Sequence, residues 1–150
     1  MDEGKKKILN RLEALCSRRE YCRKDIRAKA LKALDGDAGA AEELVEQLVS
    51  DGFVDDSRYA GAFAREKACL DGWGPVKIRF ALRGKGIEPS VIDDALASLD
   101  PKPAGAKLGR LLEARARSLE GDPQKKLKLI KYALSRGYEY DQIRDYISLY

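Results

Sequence analysis

The chain has 150 residues, 44% hydrophobic and 36% charged, with a net charge of +4 and no histidine. Those values suit one soluble, helix-rich unit of ordinary domain size with much solvated surface. They leave little for catalysis: without histidine, a Gly-x-x-x-x-Gly-Lys loop or metal-spaced ligands, no reaction has residues to carry it, so a non-enzyme without cofactor or metal is expected.

Met1 to Lys7 contains no apolar h-region of a secretory signal, and no apolar run approaches the roughly 20 residues that span a bilayer. A cytoplasmic location is expected. Cys16, Cys22 and Cys69 are odd in number and lack the paired spacing of zinc sites. They read as buried or half-buried thiols in a reducing compartment.

In chain order, Ile8, Leu9, Leu12, Leu15 and Cys16 predict a helix over about residues 5 to 17. Ile26, Ala30, Leu31 and Leu34 predict a second from about Arg23 to Leu34. Leu44, Val45, Leu48 and Val49 predict a third from about Gly39 to Asp51, stopped by Gly52. A helix over about 56 to 71 follows, marked by Tyr59, Ala60, Phe63 and Ala64. Asp55, Asp56 or Ser57 can cap it; a metal site is the alternative use of the acidic pair. Gly72-Trp73-Gly74-Pro75 joins it to a helix over 75 to 85 that carries Val76, Ile78, Phe80 and Leu82 and ends at Gly86. Val91, Ile92, Ala95, Leu96 and Leu99 form the next, starting at Pro89.

Asp100-Pro101-Lys102-Pro103 reads as a break. Leu108, Leu111 and Leu112 then mark a helix ending near Gly121. Asp122 is a good cap and Pro123 a good first-turn residue for a helix carrying Leu127, Ile130, Ala133 and Leu134, closed by Gly137. Ile143, Tyr146, Ile147 and Tyr150 mark the last helix.

The pattern repeats. Ile78 to Arg83 aligns with Ile130 to Ser135, and Lys85-Gly86-Ile87 with Arg136-Gly137-Tyr138, one residue fewer separating the two segments in the later copy. Ile92 and Leu96 correspond to Ile143 and Ile147, and Ile26-Arg27 is a fainter echo. A period near 50 residues predicts an all-α fold of three tandem three-helix repeats, in an elongated, curved array of helices at right angles. The repeats are residues 1–51, 52–101 and 102–150.

Charge follows the repeats. The second helix of the middle repeat holds Lys77, Arg79, Arg83 and Lys85 with no acid; its counterpart in the last holds Lys125, Lys126, Lys128, Lys131 and Arg136. In the first, Arg23, Lys24, Arg27, Lys29 and Lys32 stand against Asp25 alone. The following helices reverse the sign, with Glu42, Glu43, Glu46 and Asp51 in the first repeat and Glu88, Asp93, Asp94 and Asp100 in the second. Such faces can simply solvate helices and complement neighbouring units. Stacked side by side, the second helices would instead make a basic strip facing phosphate or an acidic protein groove. Candidate contacts are Arg23, Lys24, Arg27, Lys77, Arg79, Arg83, Lys85, Lys125, Lys126, Lys128, Lys131 and Arg136. Tyr132 and Tyr146 have the spacing of core residues, and Trp73 that of a helix-junction residue.

The hydrophobic-Asp-Asp-x-x-Tyr-Ala start at Val54 to Ala60, the Gly-x-x-x-Ile step at Gly74 to Ile78 and the Leu-x-x-Lys-Gly-Ile end at Leu82 to Ile87 resemble the RecX family of bacterial recombination regulators. The resemblance covers essentially the whole chain. It has departures: Cys22 stands where a serine usually caps the second helix, and Ala133 or Leu134 must take the place of a leucine in the last repeat.

The resemblance implies a protein that binds RecA, lodges in the groove of its filament on single-stranded DNA, and restrains filament extension, ATP hydrolysis, strand exchange and co-protease activity. Single-stranded DNA would be met directly or through RecA, by a monomer with no membrane contact. The competing expectation is a basic helical protein that binds nucleic acid without RecA.

Overall fold

The computed structural model describes residues 1–150 as nine helices and no strand. They are α1 (Glu3–Arg18), α2 (Arg23–Ala33), α3 (Ala38–Ser50), α4 (Asp56–Cys69), α5 (Pro75–Gly84), α6 (Pro89–Ala97), α7 (Pro101–Ser118), α8 (Lys125–Ser135) and α9 (Tyr140–Ile147). The helices form three successive groups of three, the all-α repeat array that the periodicity predicts.

Each group gathers its own apolar cluster. Leu12, Ile26, Ala30, Leu44, Val45 and Leu48 build the first. Ala60, Ala64, Ile78, Leu82 and Ile92 build the second, and Leu108, Leu112, Leu129, Ala133 and Ile143 the third. In the short second helices a single pair four residues apart enters the core, as Ile78 and Leu82 do in α5. Splitting the core in three leaves much surface: 9004 Å² is accessible, against roughly 7,600 Å² for a compact chain of this mass. The array is elongated.

Local chemistry sets the helix ends. Gly52, Gly86 and Gly137 take positive φ just past α3, α5 and α8, as the glycine stops predict. Two boundaries differ from expectation. Asp100 to Pro103 is the start of α7 rather than a break, with Asp100 accepting the Lys102 amide at 3.0 Å. First-turn amides have no partner inside a helix, so Pro101 and Pro103 cost nothing there. α8 begins at Lys125, because Asp122 accepts the Gln124 amide at 2.8 Å and holds Pro123 in a turn ahead of the helix.

The acidic pair divides its work. Asp55 caps its own helix, accepting from the Arg58 amide at 3.1 Å. Asp56 reaches back to the start of α2 and accepts from the Arg23 amide at 2.8 Å. Cys22, the N-cap residue of α2, makes no side-chain capping bond, so the next repeat supplies the missing acceptor. The Cys22 side chain is instead buried in the middle cluster, and burial raises its thiol pKa.

Candidate partner-binding surface

The second helices carry the candidate residues, and they meet end to end rather than side by side. At the N-terminus of α5, the Gly74 amide donates to the Arg136 carbonyl at 2.8 Å and the Val76 amide to the Gly137 carbonyl at 3.0 Å. Donors left free by α5 thus meet acceptors at the C-terminal end of α8, with the two helix dipoles in favourable order. Arg136 adds bonds to the carbonyls of Asp71 and Gly72, the latter at 3.1 Å. Glycine permits this approach. A methyl group on Gly74 would overlap the backbone of Gly137 and Tyr138, and one on Gly137 would overlap Lys77. At the other end of α5, the Lys24 ammonium donates to the Gly84 carbonyl at 2.9 Å, and Lys85 pairs with Asp25 at 2.9 Å. In space the order is therefore α8, α5, α2. The expected stacking fails because the joints lie at helix termini, where backbone polar groups need partners, and not along helix sides.

The twelve candidate cations divide sharply. Arg23 pairs with Glu46, Arg27 with Glu42 at 2.8 Å, Arg79 with Asp93 and Lys128 with Asp122. The acids of α3 and α6 thus complement the bases of α2 and α5. The hydrogen bond from Arg27 holds the Glu42 carboxyl below its ordinary range, and Lys128 does the same to Asp122. The bond to Asp25 raises the Lys85 ammonium. Lys77 lies 4.5 Å from the Trp73 ring centre, and Lys125 lies 5.4 Å from that of Tyr150. Lys24 and Arg136 bind the carbonyls at the joints. Arg83, Lys126 and Lys131 remain exposed, with no ion pair or hydrogen bond from their side chains.

Tyr132 and Tyr146 are half-buried against the third cluster, and Tyr146 donates to the Gly105 carbonyl at 3.0 Å. Trp73 packs on the middle cluster in edge contact with Phe63. Tyr138 is the buried tyrosine of the last group. Its hydroxyl has no hydrogen-bond partner within the chain, and burial pushes its pKa up to about 12. It lines a cavity of about 400 Å³ between the second and third groups, with Trp73, Leu96, Leu108 and Tyr146.

The structure also corrects the alignment of the repeats. Leu129 and Ala133 are the fully buried pair of α8, so they match Ile78 and Leu82. The offset is 51 residues with no gap, as it is for Ile92 and Ile143, and Ala133 takes the place of the leucine. Four apolar residues then lie outside the core: Val76 and Phe80 on α5, which are 53% and 78% exposed, and Leu127 and Leu134 on α8, at 48% and 47%. Spacing was the available signal. Val76 and Ile78 are two residues apart and cannot share a helical face.

No group of three or more cysteine or acidic side chains is placed to hold a metal ion, and no helix is long and apolar enough to cross a membrane.

Comparison with known proteins agrees with this architecture. The family model described as "RecX, second three-helix domain" matches residues 55–96. The "Regulatory protein RecX" of Chlorobaculum tepidum is 31% identical, the match covering 99% of this chain and 92% of that protein. That of Halorhodospira halophila is 30% identical over 87% and 80% of the two chains. The crystal structure of RecX from Lactobacillus salivarius superposes with a TM-score of 0.83 at 26% identity, over 99% and 97% of the two chains. With relatives of this identity matched over most of their length and a RecX crystal structure superposing over nearly the whole chain, the chain belongs to the RecX family of regulatory proteins.

Proposed function

We propose that this chain binds RecA and its filament on single-stranded DNA, and thereby inhibits filament extension, ATP hydrolysis, strand exchange and co-protease activity. It acts as a monomer in the cytoplasm, by binding rather than by chemistry, and the twelve basic residues of the second helices lie at or beside the contact. The observation that carries this reading is the end-to-end order of α8, α5 and α2 in an elongated array. It sets three related basic helices in succession along the molecule, a form suited to spanning neighbouring protomers of a filament. The reading treats Arg83, Lys126 and Lys131 as primary contacts, since the other nine already have partners within the chain.

The test follows RecA assembly on single-stranded DNA by filament length and ATP hydrolysis. The expected result is that substoichiometric protein shortens filaments and slows hydrolysis. Unchanged length and hydrolysis would refute the proposal.

A second reading, nucleic-acid binding without RecA, draws on the unpaired Lys126 and Lys131 of α8. It requires affinity for single-stranded DNA that falls steeply with salt and is indifferent to RecA. A salt series with and without RecA separates the two.

A further inference from the structure

The offset of 51 residues brings a surface pattern into register. On α5, Val76, Phe80 and Arg83 follow one another at i, i+4 and i+7; on α8, Leu127, Lys131 and Leu134 occupy the equivalent positions. This spacing puts each trio on one helical face. The joint brings the ends of the two stripes close together, because the Val76 amide bonds to Gly137, three residues beyond Leu134. Single exposed apolar residues are ordinary on a protein surface. Four at equivalent positions of two abutting helices are a repeated surface feature. The pattern stops at α2, where the equivalent positions are Lys24, Ala28 and Leu31 and Leu31 packs against the first cluster.

Charge separates this face from its surroundings. Arg83 and Lys131 lie within it and Lys126 precedes Leu127, all three without an acid in ion-pair range. Arg79 and Lys128, which flank it on the same helices, have Asp93 and Asp122. The two cations within the stripe, Arg83 and Lys131, are thus uncompensated, while Arg79 and Lys128 at its edges are paired.

We propose that the Val76–Phe80 and Leu127–Leu134 stripe docks a protein surface that presents acidic side chains around apolar ones. The proposal rests on the reading that this chain binds RecA, and assigns the protein part of that contact to α5 and α8. A phosphate backbone matches the cations but offers nothing to cover aliphatic side chains. Bases can stack on Phe80, but Val76, Leu127 and Leu134 have no ring on which to stack. An acidic protein surface with an apolar centre meets both features, and such contacts concentrate their energy in a few large apolar or Arg anchors.

The experiment compares the wild type with a Phe80→Ser, Leu127→Ser, Leu134→Ser variant, whose helicity is checked by circular dichroism. Each is titrated against RecA without DNA, RecA filaments on single-stranded DNA, and single-stranded DNA alone, and its mass is measured by sedimentation. The expected result is a loss of RecA affinity of about thirtyfold or more, affinity for DNA alone within about twofold, and a monomer mass for both proteins. RecA affinity unchanged in the variant overturns the stripe alone. Equal losses for RecA and bare DNA make it a nucleic-acid surface, and a wild-type dimer that the substitutions dissociate makes it a self-association face; either overturns the proposal. A wild type that binds RecA in neither form overturns both this proposal and the reading beneath it.

Discussion

The two joints of the array are built from different materials. Between the second and third groups, backbone meets backbone: the Gly74 and Val76 amides bond to the carbonyls of Arg136 and Gly137, at glycines where any side chain would collide. Between the first and second, charged side chains bridge the gap. Lys85 pairs with Asp25, Lys24 reaches the Gly84 carbonyl, Arg58 pairs with Glu20, and the Asp56 carboxylate accepts the Arg23 amide. Cys22 adds an apolar plug. The backbone joint, tied by backbone hydrogen bonds and by Arg136 to the Asp71 and Gly72 carbonyls, contains no ion pair and is little affected by salt. A joint of half-exposed ion pairs is weaker pair by pair and screened by salt. The joint between the second and third groups is thus expected to be the less sensitive to salt.

The largest expected effect comes from Gly74→Ala. Its methyl group would overlap the Gly137 and Tyr138 backbone and part the joint hydrogen bonds, at a cost of about 3 kcal/mol. Urea denaturation measures the loss, and hydrogen exchange at the Val76 amide should accelerate; unchanged exchange would mean that the joint is not closed by these bonds.

A smaller change of opposite sign is expected at Tyr138, beside the same joint. Removing its unpartnered hydroxyl in Tyr138→Phe should stabilise the chain by about 1 kcal/mol. The wild type should also respond to alkali. An unfolded tyrosine ionises near its ordinary value of 10, whereas the buried one holds its proton to about 12. Between those values the unfolded chain binds fewer protons, so the stability present below pH 10 declines as pH rises to about 12. Tyr138→Phe should lack that component of the decline, as read by denaturation at pH 9 and 11.

At the charged joint, Asp56→Ala removes a cap that one repeat lends to another and should cost about 1 kcal/mol. Faster exchange of the Arg23 amide is the local signature. The smallest effect belongs to Lys85→Met, about 0.5 kcal/mol at low salt and less at high salt, because the Lys85–Asp25 pair is partly solvated. A salt-independent loss would show that Lys85 acts by packing, and would narrow the contrast between the joints.

Much of this architecture was legible in the sequence. Glycine stops, proline starts and helical periodicity located all nine helices, because these signals act within a few residues. The joint between α5 and α8 was not legible, since its determinants are glycines, which leave no side-chain pattern. The register of α8 was ambiguous for a definable reason: in Lys125 to Ser135 both Leu127–Ile130–Leu134 and Leu129–Ala133 make helical faces, and only packing chooses the second. The candidate surface was legible as composition but not as geometry. The sequence marks Arg23, Arg27 and Arg79 as cations on basic helices, yet their acidic partners come from the following helix, and the pairing distances are set by tertiary structure.

The basic second helices are proposed to act on RecA through the cations left free within the chain. The most direct measurement is ATP hydrolysis by RecA filaments titrated with wild type and with an Arg83→Glu, Lys126→Glu, Lys131→Glu variant. Inhibition by the wild type and its loss in the variant, with helicity unchanged, are the expected results. Equal inhibition by both proteins would contradict the proposal and leave these helices with only a solvated face.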